Sequence, residues 1–299
     1  MSSRDRSRIA VVGGLSCFAA LGLSVLAGGQ EQQQSRGKLR EPVFRVSKAR
    51  VDPPQGKKPV NQHALDPALR IARQTLERIH TNVRDYSCTL VKRERIKGKL
   101  IDPQYIYTEI RNRKVVNGQL QVPFGVYMRF LKPANIKGRE VIYVEGRNNN
   151  KLVAHEAGVL GIVPPVWLRP NGPIAMRGQL YPITDVGLEN LVLKLIEKGE
   201  RDKALGGQCE VQFIEGAKIN GRGCTVLQVT HPDRAQHFDF HIARIFLDDA
   251  LQLPVRYAAY SWPTVEGGKP PLLEEYTYLN LKLNLGLKDD DFDHTKKFN

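Results

Sequence analysis

The sequence lacks the short motifs that mark common catalytic sites. It has no Gly-x-Ser-x-Gly nucleophile elbow, no His-Glu-x-x-His zinc motif and no phosphate-binding loop. It also lacks the aromatic-basic motifs of nucleic-acid-binding modules, so we expect no nucleic-acid partner. These absences favour a protein that is not an enzyme and that uses no cofactor.

Cysteine is scarce, with four in 299 residues, one of them in the apolar N-terminal run. The other three are Cys88, Cys209 and Cys224. Asn220-Gly221 is the strongest hairpin signal nearby, and a turn there sets Cys224 opposite Ala217 and away from Cys209. We therefore expect no obligatory disulfide, and we interpret Cys88 and Cys224 as buried fillers of strands rather than nucleophiles.

The N-terminus has the pattern of an export signal. Residues 1–8 carry three arginines, and residues 9–29 follow without a charge. Small residues at Val25 and Ala27 suit a signal peptidase, so we expect a signal peptide over 1–27. Because the apolar run is about long enough to span a bilayer, an uncleaved N-terminal anchor is the alternative. Either interpretation predicts the periplasm or the extracytoplasmic cell envelope.

The chain is basic, with 45 Lys and Arg against 31 Asp and Glu and a formal net charge of +14. Removing residues 1–27, with three Arg and one Asp, leaves +12. Residues 28–62 carry eight basic and three acidic side chains and few apolar ones, which predicts a disordered basic linker. Such a linker suits an anionic membrane surface; the alternative is that surplus lysines only keep the protein soluble.

The remaining residues, 63–299, are expected to form a single domain. A helix is predicted with Asp66 as N-cap and Pro67 at its first position. A second helix is predicted with its cap at Thr184 or Asp185 and its end at Gly199. Ten strands are predicted, joined by turns too short for crossover helices, at 87–96, 105–114, 126–131, 140–145, 152–156, 208–215, 224–230, 238–247, 254–261 and 273–285.

This order predicts an α+β fold. About ten antiparallel strands should form a strongly curved sheet, a half-open β-barrel, with the two helices packed in or over its concave face. Residues 158–182 contain five prolines and four glycines and are predicted to be irregular. A long apolar segment of this kind is typical of a lid or binding loop.

Three segments carry a resemblance to a known superfamily. They are VYMRFLKPANIKGREVIYVEG (126–146), ARIFLDDALQLPVRYAAYSW (243–262) and the closing YTYLNLKLNLGLKDDDF. In this order they resemble the LolA/LolB-like superfamily of exported lipoprotein-sorting and lipid-binding proteins, and more narrowly a family of exported bacterial proteins with a domain of unknown function. The resemblance covers about residues 65–299. It implies a half-open antiparallel barrel with a helical lid and an apolar cavity that receives acyl chains.

The predicted ligand is therefore the acyl chain of a lipid or lipoprotein, and the protein is predicted to be a carrier or sensor. Apolar residues that share a strand face, lie on the second helix or lie in the irregular segment are expected to line the cavity. They are Val126, Met128, Phe130, Trp167, Leu191, Leu195, Leu279, Leu281, Leu283 and Leu285. Since Tyr276 and Tyr278 have the opposite parity to the Leu row, we expect a bulge or twist near Leu279.

Two other functions are kept open. The first is a cell-envelope interaction module whose barrel is filled by side chains. The second is a metal-dependent hydrolase that uses His231, His237, Asp239 and His241, of which the last three share one face of a strand. The basic run KRERIKGK, 92–99, is interpreted as the charged outer face of a strand, with a headgroup-binding patch as the alternative.

Overall fold

A computed structural model describes residues 63–156, 164–234 and 238–298, together with the backbone of Phe44–Arg45 and Arg50–Val51. The predicted signal peptide over 1–27 lies outside these residues, and so does the predicted linker over 28–62 apart from four positions. Those four form two short strands that pair with the sheet, which differs from a linker that is disordered throughout.

Sixteen strands occur in the described part of the chain. They are β1 Phe44–Arg45, β2 Arg50–Val51, β3 Asp85–Ile96, β4 Lys99–Leu100, β5 Gln104–Arg111, β6 Lys114–Val116, β7 Gln119–Val122, β8 Gly125–Lys132, β9 Glu140–Val144, β10 Leu152–His155, β11 Val166–Leu168, β12 Glu210–Ile219, β13 Arg222–Thr230, β14 Ile242–Asp248, β15 Pro254–Tyr260 and β16 Leu272–Leu283. The helices are α1 Asp66–Asn82, α2 Leu188–Leu205 and the single turn α3 His294–Lys297.

One antiparallel sheet contains all of these strands except β6 and β7, which form a separate hairpin. Its order is β1-β12-β13-β14-β15-β16-β3-β5-β8-β9-β10-β11, with β2 beside β12 and β4 beside β3. Among the described strands the two ends of this order do not pair, so the sheet is a curved half-open barrel. The predicted fold class is thereby confirmed.

Both long helices pack on one face of the curved sheet. Ile79 of α1 and Leu188 of α2 are fully buried against Tyr86, Ile110 and Val126 of β3, β5 and β8. The N-terminal half of α1 packs on β12 to β15 through the apolar side chains Leu65, Ala68 and Leu69. The stripe of α1 and the concave side of the sheet thus form one continuous core. No helix of the described ranges is both long and apolar enough to cross a membrane.

The opposite, convex face is covered in part by the C-terminus. Phe292 is 3% exposed and packs against Tyr127, Ile142 and Val144, whose side chains leave β8 and β9 on the convex side. The C-terminal segment thus covers part of the convex face, whereas the helices and the cavity lie on the concave face.

Each of the ten predicted strands has an observed counterpart, but the helix ends were predicted incorrectly. Leu65 rather than Asp66 is the N-cap of α1, and Asp66 accepts a hydrogen bond from the N–H of His63 at 3.0 Å. Helix α2 begins after Gly187 rather than at Thr184 or Asp185, because Ile183–Asp185 form a separate 3-10 turn.

Gly199 does not end α2, which continues for six more residues to Leu205. A Cβ at Gly199 would lie 2.9 Å from Cδ2 of Leu69. The absence of a side chain therefore lets α1 approach α2 closely. The sequence pattern predicts a helix terminator at this glycine, but the glycine instead serves helix–helix packing.

The irregular segment 158–182 also contains a strand. Val166–Leu168, which has no Gly or Pro, pairs with β10 and extends the sheet by one strand. Residues 157–163 lie outside the described residues, and residues 169–182 contain no helix or strand, as predicted.

Candidate ligand cavity

A cavity of about 430 Å³ lies between the concave face of the sheet and a cover made of α2 and residues 174–186, called here the covering segment. Its sheet wall comes from β3, β5, β8, β9, β10, β11, β15 and β16. Ligand pockets in proteins have volumes of about 300–1,000 Å³. The cavity therefore has the size of a binding site for a small molecule.

One part of the cavity wall is apolar. Leu90, Ile106 and Phe130 lie in register across β3, β5 and β8, and Tyr278 continues this row on β16. Met128 and the side chains of β9 to β11 extend the apolar wall: Val141, Leu152, Ala154, Val166 and Leu168. Because strands in a sheet are about 4.8 Å apart, the steps from β16 to β10 cover roughly 24 Å along the sheet. This wall is long enough to accommodate an elongated apolar group.

Polarity rises along β3 and β16 away from this wall. Tyr278 faces Leu90, the next inward pair is Tyr276 and Lys92, and the last is Glu274 opposite Glu94. Glu94 is 1% exposed and Glu274 is 5% exposed. Like charges directly opposite one another on neighbouring strands are destabilising. The cavity thus has an apolar wall and a buried polar end that contains two carboxyl groups.

Tyrosine hydroxyls surround these carboxyl groups. The hydroxyl of Tyr276 lies 2.6 Å from Oε1 of Glu94 and 3.2 Å from Oε2 of Glu274. The hydroxyls of Tyr181 and Tyr257 lie 3.2 and 3.4 Å from Oε1 of Glu274. A hydroxyl has one proton to donate. Tyr276 therefore donates mainly to Glu94, the nearer carboxylate, and only weakly to Glu274.

The two carboxyl groups differ in their cationic partners. Nζ of Lys92 lies 3.3 Å from Oε2 of Glu94, which also accepts the N–H of Leu180 at 3.2 Å. Glu274 has no Lys, Arg or His nitrogen within 4.0 Å in the described part of the chain. Glu94 thus has a direct ion pair, and Glu274 has none among the described residues.

Burial determines how the groups of the polar end ionise. It raises the pKa of Glu274 above its usual value of 4.5, and the charge of Glu94 adds to this, while Lys198 and the hydroxyls of Tyr181 and Tyr276 offset the increase only in part. Burial likewise raises the pKa values of Tyr181 and Tyr276. Both hydroxyls therefore stay protonated and act as donors.

The structure brings four of the ten predicted cavity residues together. Met128, Phe130, Leu191 and Leu195 line the cavity. Val126 lies in the core beneath it, 0% exposed. Trp167 is 47% exposed and contacts the edge of the His294 ring, whereas its neighbours on β11 line the cavity.

The predicted Leu row takes a different position. Among the described residues, Leu279, Leu281, Leu283 and Leu285 are absent from the cavity wall, which β16 forms with Glu274, Tyr276 and Tyr278 instead. The ladder between β16 and β3 shifts register between Leu279 and Lys282. The expected bulge is therefore present.

Because of the bulge, the four leucines lie in different surroundings. Leu279 packs in a small cluster around Phe246, and beyond the bulge Leu281 and Leu283 pack against the main core. Leu285 follows the end of β16 and is 47% exposed.

The interpretation of KRERIKGK as one charged outer strand face is wrong for two of its residues, which belong to the polar end of the cavity. Lys92 and Glu94 share the inward face with Leu90, while the side chain of Arg95 bonds the carbonyl of Leu272. Alternate residues of a strand share one face, so Leu90, Lys92 and Glu94 could have been assigned to the same side of β3 from the sequence. The same parity places Glu274 with Tyr276 and Tyr278.

Among the described residues of the histidine cluster, His231, Asp239 and His241 do not form a group that could hold a metal ion. His231 is 1% exposed, stacks on Phe238 at 3.8 Å between ring centroids, and has Nε2 3.4 Å from Oδ2 of Asp202. Asp239 pairs with Lys198 and Arg201 on α2. His237 lies outside the described residues.

Elsewhere in the described ranges, no group of three His, Cys, Asp or Glu side chains could hold a metal ion. Residues 238–241 also lie before β14, which begins at Ile242. The strand face on which the predicted ligands depended is therefore not formed there.

The cysteines agree with their prediction as fillers. Cys88, Cys209 and Cys224 are all free thiols, and Cys224 pairs with Ala217 in the hairpin as expected. Cys88 and Cys224 are buried, and burial raises the pKa of Cys224 to about 11. Because the thiolate is the nucleophilic form, such a thiol is unreactive at neutral pH.

Several solved structures are similar to this chain. One, from Vibrio parahaemolyticus, is described as a putative outer membrane lipoprotein-sorting protein domain, with 14% identity, 76% of this chain and 96% of that chain covered, and a TM-score of 0.36. Another is the LolA superfamily protein NE2245 from Nitrosomonas europaea, with 14% identity, coverage of 74% and 97%, and a TM-score of 0.33. A third is a DUF1329 family protein from Desulfovibrio piger, with 13% identity, coverage of 78% and 99%, and a TM-score of 0.38. LolA-superfamily structures are thus among those similar to this chain.

A search of curated protein sequences found no match. The profile of the DUF1571 family, described as proteins of unknown function, matches residues 83–298. These residues run from the end of α1 through α3 and include the whole sheet wall of the cavity. The chain therefore belongs to the DUF1571 family.

Proposed function

We propose that this protein is an exported, non-enzymatic carrier or sensor that binds the acyl chain of a lipid or lipoprotein in its cavity. The observation that carries the proposal is the cavity of about 430 Å³ with an apolar wall running across β5 and β8 to β11. A filled barrel, the alternative for a purely structural envelope module, would leave no such space.

The energetics favour an elongated apolar ligand. Burying a methylene group contributes about 0.8 kcal/mol, so an acyl chain gains affinity from contact with Leu90, Ile106, Met128 and Phe130 without a precisely placed polar partner. Met128 suits this role because its unbranched side chain adapts to different ligand shapes.

The cover supplies a route for entry and release. Leu191, Lys194 and Leu195 of α2 and the covering segment form the wall opposite the sheet. Val166 and Ile174 line the cavity yet are 46% and 65% exposed, so the mouth lies beside them. A ligand enters there when the covering segment moves away from the sheet.

The cellular setting of the proposal rests on the N-terminal sequence. A signal peptide or anchor over 1–27 delivers the protein to the cell envelope, and the basic residues of 28–62 hold it near an anionic membrane surface. A carrier placed there has access to acyl chains.

A fluorescent acyl-chain probe tests the proposal. Wild-type protein should bind it saturably, and Leu191→Trp, which fills the cavity from α2, should weaken binding at least about tenfold by removing space for several methylenes. Leu193→Trp is the matched control, since Leu193 lies on the same helix, is 42% exposed and is not part of the cavity wall.

A second variant guards against a folding defect in the first. Val166→Glu places a charge at the mouth on a half-exposed side chain, so the fold should survive and acyl binding should fall. Binding that is equal in wild type, Leu191→Trp and Val166→Glu would contradict the proposed site.

A further inference from the structure

The polar end of the cavity contains a carboxyl group without a direct ion pair among the described residues. Lys92 pairs with Glu94 at 3.3 Å, and Lys198, which also lines the cavity, pairs with Asp239 at 3.3 Å. This leaves Glu274 as the carboxyl of the polar end that no described cation pairs with directly.

The carboxyl of Glu274 also has an acceptor that is not fully used. Oε1 is approached by the hydroxyls of Tyr181 and Tyr257, whereas Oε2 has the hydroxyl of Tyr276 at 3.2 Å. That hydroxyl donates its proton to Glu94 at 2.6 Å. Oε2 of the ionised Glu274, on a side chain 5% exposed that lines the cavity, therefore has among the described residues only a donor that it shares with Glu94.

A buried carboxylate whose hydrogen bonds are only partly satisfied is costly unless a partner completes them. Glu94 and Glu274 face one another in register, an arrangement that lowers stability when both are charged. Such an arrangement, open to a cavity, is typical of a site completed by a ligand rather than of a folding core.

We infer that the cavity selects amphiphiles that carry a protonated amine, whose N–H groups donate to Glu274 while the apolar chain lies along Leu90, Ile106 and Phe130. This inference rests on the proposed function and specifies the polar group of its ligand. A free long-chain amine and the amine of a lipid headgroup both present this donor to the carboxylate, so the chemistry is common to the two sources.

Binding of such an amine is linked to protons. Burial raises the pKa of Glu274, and below that pKa an ammonium ligand displaces the proton of the carboxyl to solvent. The affinity for an amine should therefore rise with pH through the pKa of Glu274. The charged and titratable groups that face this carboxyl from the surrounding elements are Lys92, Glu94, Tyr181, Lys198, Tyr257 and Tyr276.

The test uses the full chain and competition against the fluorescent acyl-chain probe. Dodecylamine, dodecanol and dodecanoate share one chain length and differ in the polar group. We expect dodecylamine to displace the probe at a concentration about tenfold or more below that of dodecanol. Glu274→Gln should remove this preference, so that dodecylamine and dodecanol displace the probe at similar concentrations. The matched control is Glu156→Gln, which removes a cavity carboxylate at a side chain 43% exposed and should keep the preference.

A second pair of competitors distinguishes the two sources of the amine. A lysophospholipid with an ethanolamine headgroup is compared with one that has a glycerol headgroup, and preference for the former supports a lipid amine as ligand. Preference for dodecylamine alone supports a free amine.

The outcomes separate the inference from the proposed function. If dodecanol or dodecanoate competes as well as dodecylamine, or if Glu274→Gln retains the amine preference, the inference is overturned and acyl-chain binding stands. If the probe does not bind and no amphiphile competes, both are overturned.

Discussion

Glu94 and Glu274 lie directly opposite each other on adjacent strands, both buried and both facing the cavity. A core selected only for stability would not place two carboxyl groups in this position, because neither the cross-strand repulsion nor the desolvation favours folding. The proposed binding of an amine gives this arrangement a role that offsets its cost in stability.

The first prediction concerns that cost. The folded-state pKa of Glu274 is raised above 4.5, so its contribution to stability is fully present below that pH and is lost as the pH rises through the folded pKa. Glu274→Gln, which cannot ionise, should therefore become progressively more stable relative to wild type as the pH increases. Urea unfolding of both proteins at several pH values measures this difference, and a difference independent of pH would contradict it.

The second prediction concerns Asp248, at the end of β14. Burial raises the pKa of Asp248, but the hydrogen bonds from Arg222 and from the N–H of Leu251 outweigh burial and leave it below 3.8. Its side chain is 1% exposed and accepts the N–H groups of Ala250 and Leu251 at 3.0 and 2.8 Å. Asp248→Asn should lower the free energy of unfolding by about 1.5–3 kcal/mol at neutral pH.

The stability contributed by Asp248 depends on pH in the opposite direction to that contributed by Glu274. For a lowered pKa, the stabilisation is present above the unfolded value and is lost as the pH falls through the folded value. The deficit of Asp248→Asn should therefore shrink once the pH falls below 3.8. A deficit that stays constant over that range would show that the carboxylate charge is not what stabilises the turn.

The third prediction tests the close approach of the two long helices. A Cβ at Gly199 would lie 2.9 Å from Leu69, so Gly199→Val should force α1 and α2 apart and destabilise the protein by about 1–3 kcal/mol. Ala204→Val, at an exposed position of the same helix, is the control and should cost well under about 1 kcal/mol. Equal melting temperatures for the two variants would contradict this role of Gly199.

The fourth prediction concerns the start of α2. The hydroxyl of Tyr86, fully buried, accepts the N–H of Leu188 at 2.8 Å. Tyr86→Phe leaves that N–H unpaired and should destabilise the protein by about 1–2 kcal/mol. Because α2 covers the cavity, hydrogen exchange of its first-turn amides should accelerate more than that of β13, and uniform acceleration would contradict a local role.

The strand order was predictable from sequence because alternation and Asn-Gly turns are local signals. The turn at Asn220-Gly221 by itself predicts the pairing of Cys224 with Ala217, which the hairpin shows. The single-face interpretation of the closing strand was less successful. A bulge reverses which alternate residues of a strand face inward. The alternation in the sequence indicates a bulge near Leu279. It does not indicate whether the residues before or after the bulge face the cavity.

The cavity itself was beyond the reach of local patterns. Met128 and Leu191 are 63 positions apart in the chain, and both line the cavity because the sheet curls under α2. The polar end depends on the register that sets Glu274 opposite Glu94, across 180 residues. Each strand shows its own alternation, but the neighbour it meets is determined by the fold.

Native mass spectrometry of protein purified without detergent asks directly whether the cavity holds an acyl chain. We expect a population heavier than the polypeptide by the mass of a lipid or other amphiphile, depleted in Leu191→Trp and retained in Leu193→Trp. A single species at the polypeptide mass, together with no uptake of added amphiphile, would contradict acyl-chain binding.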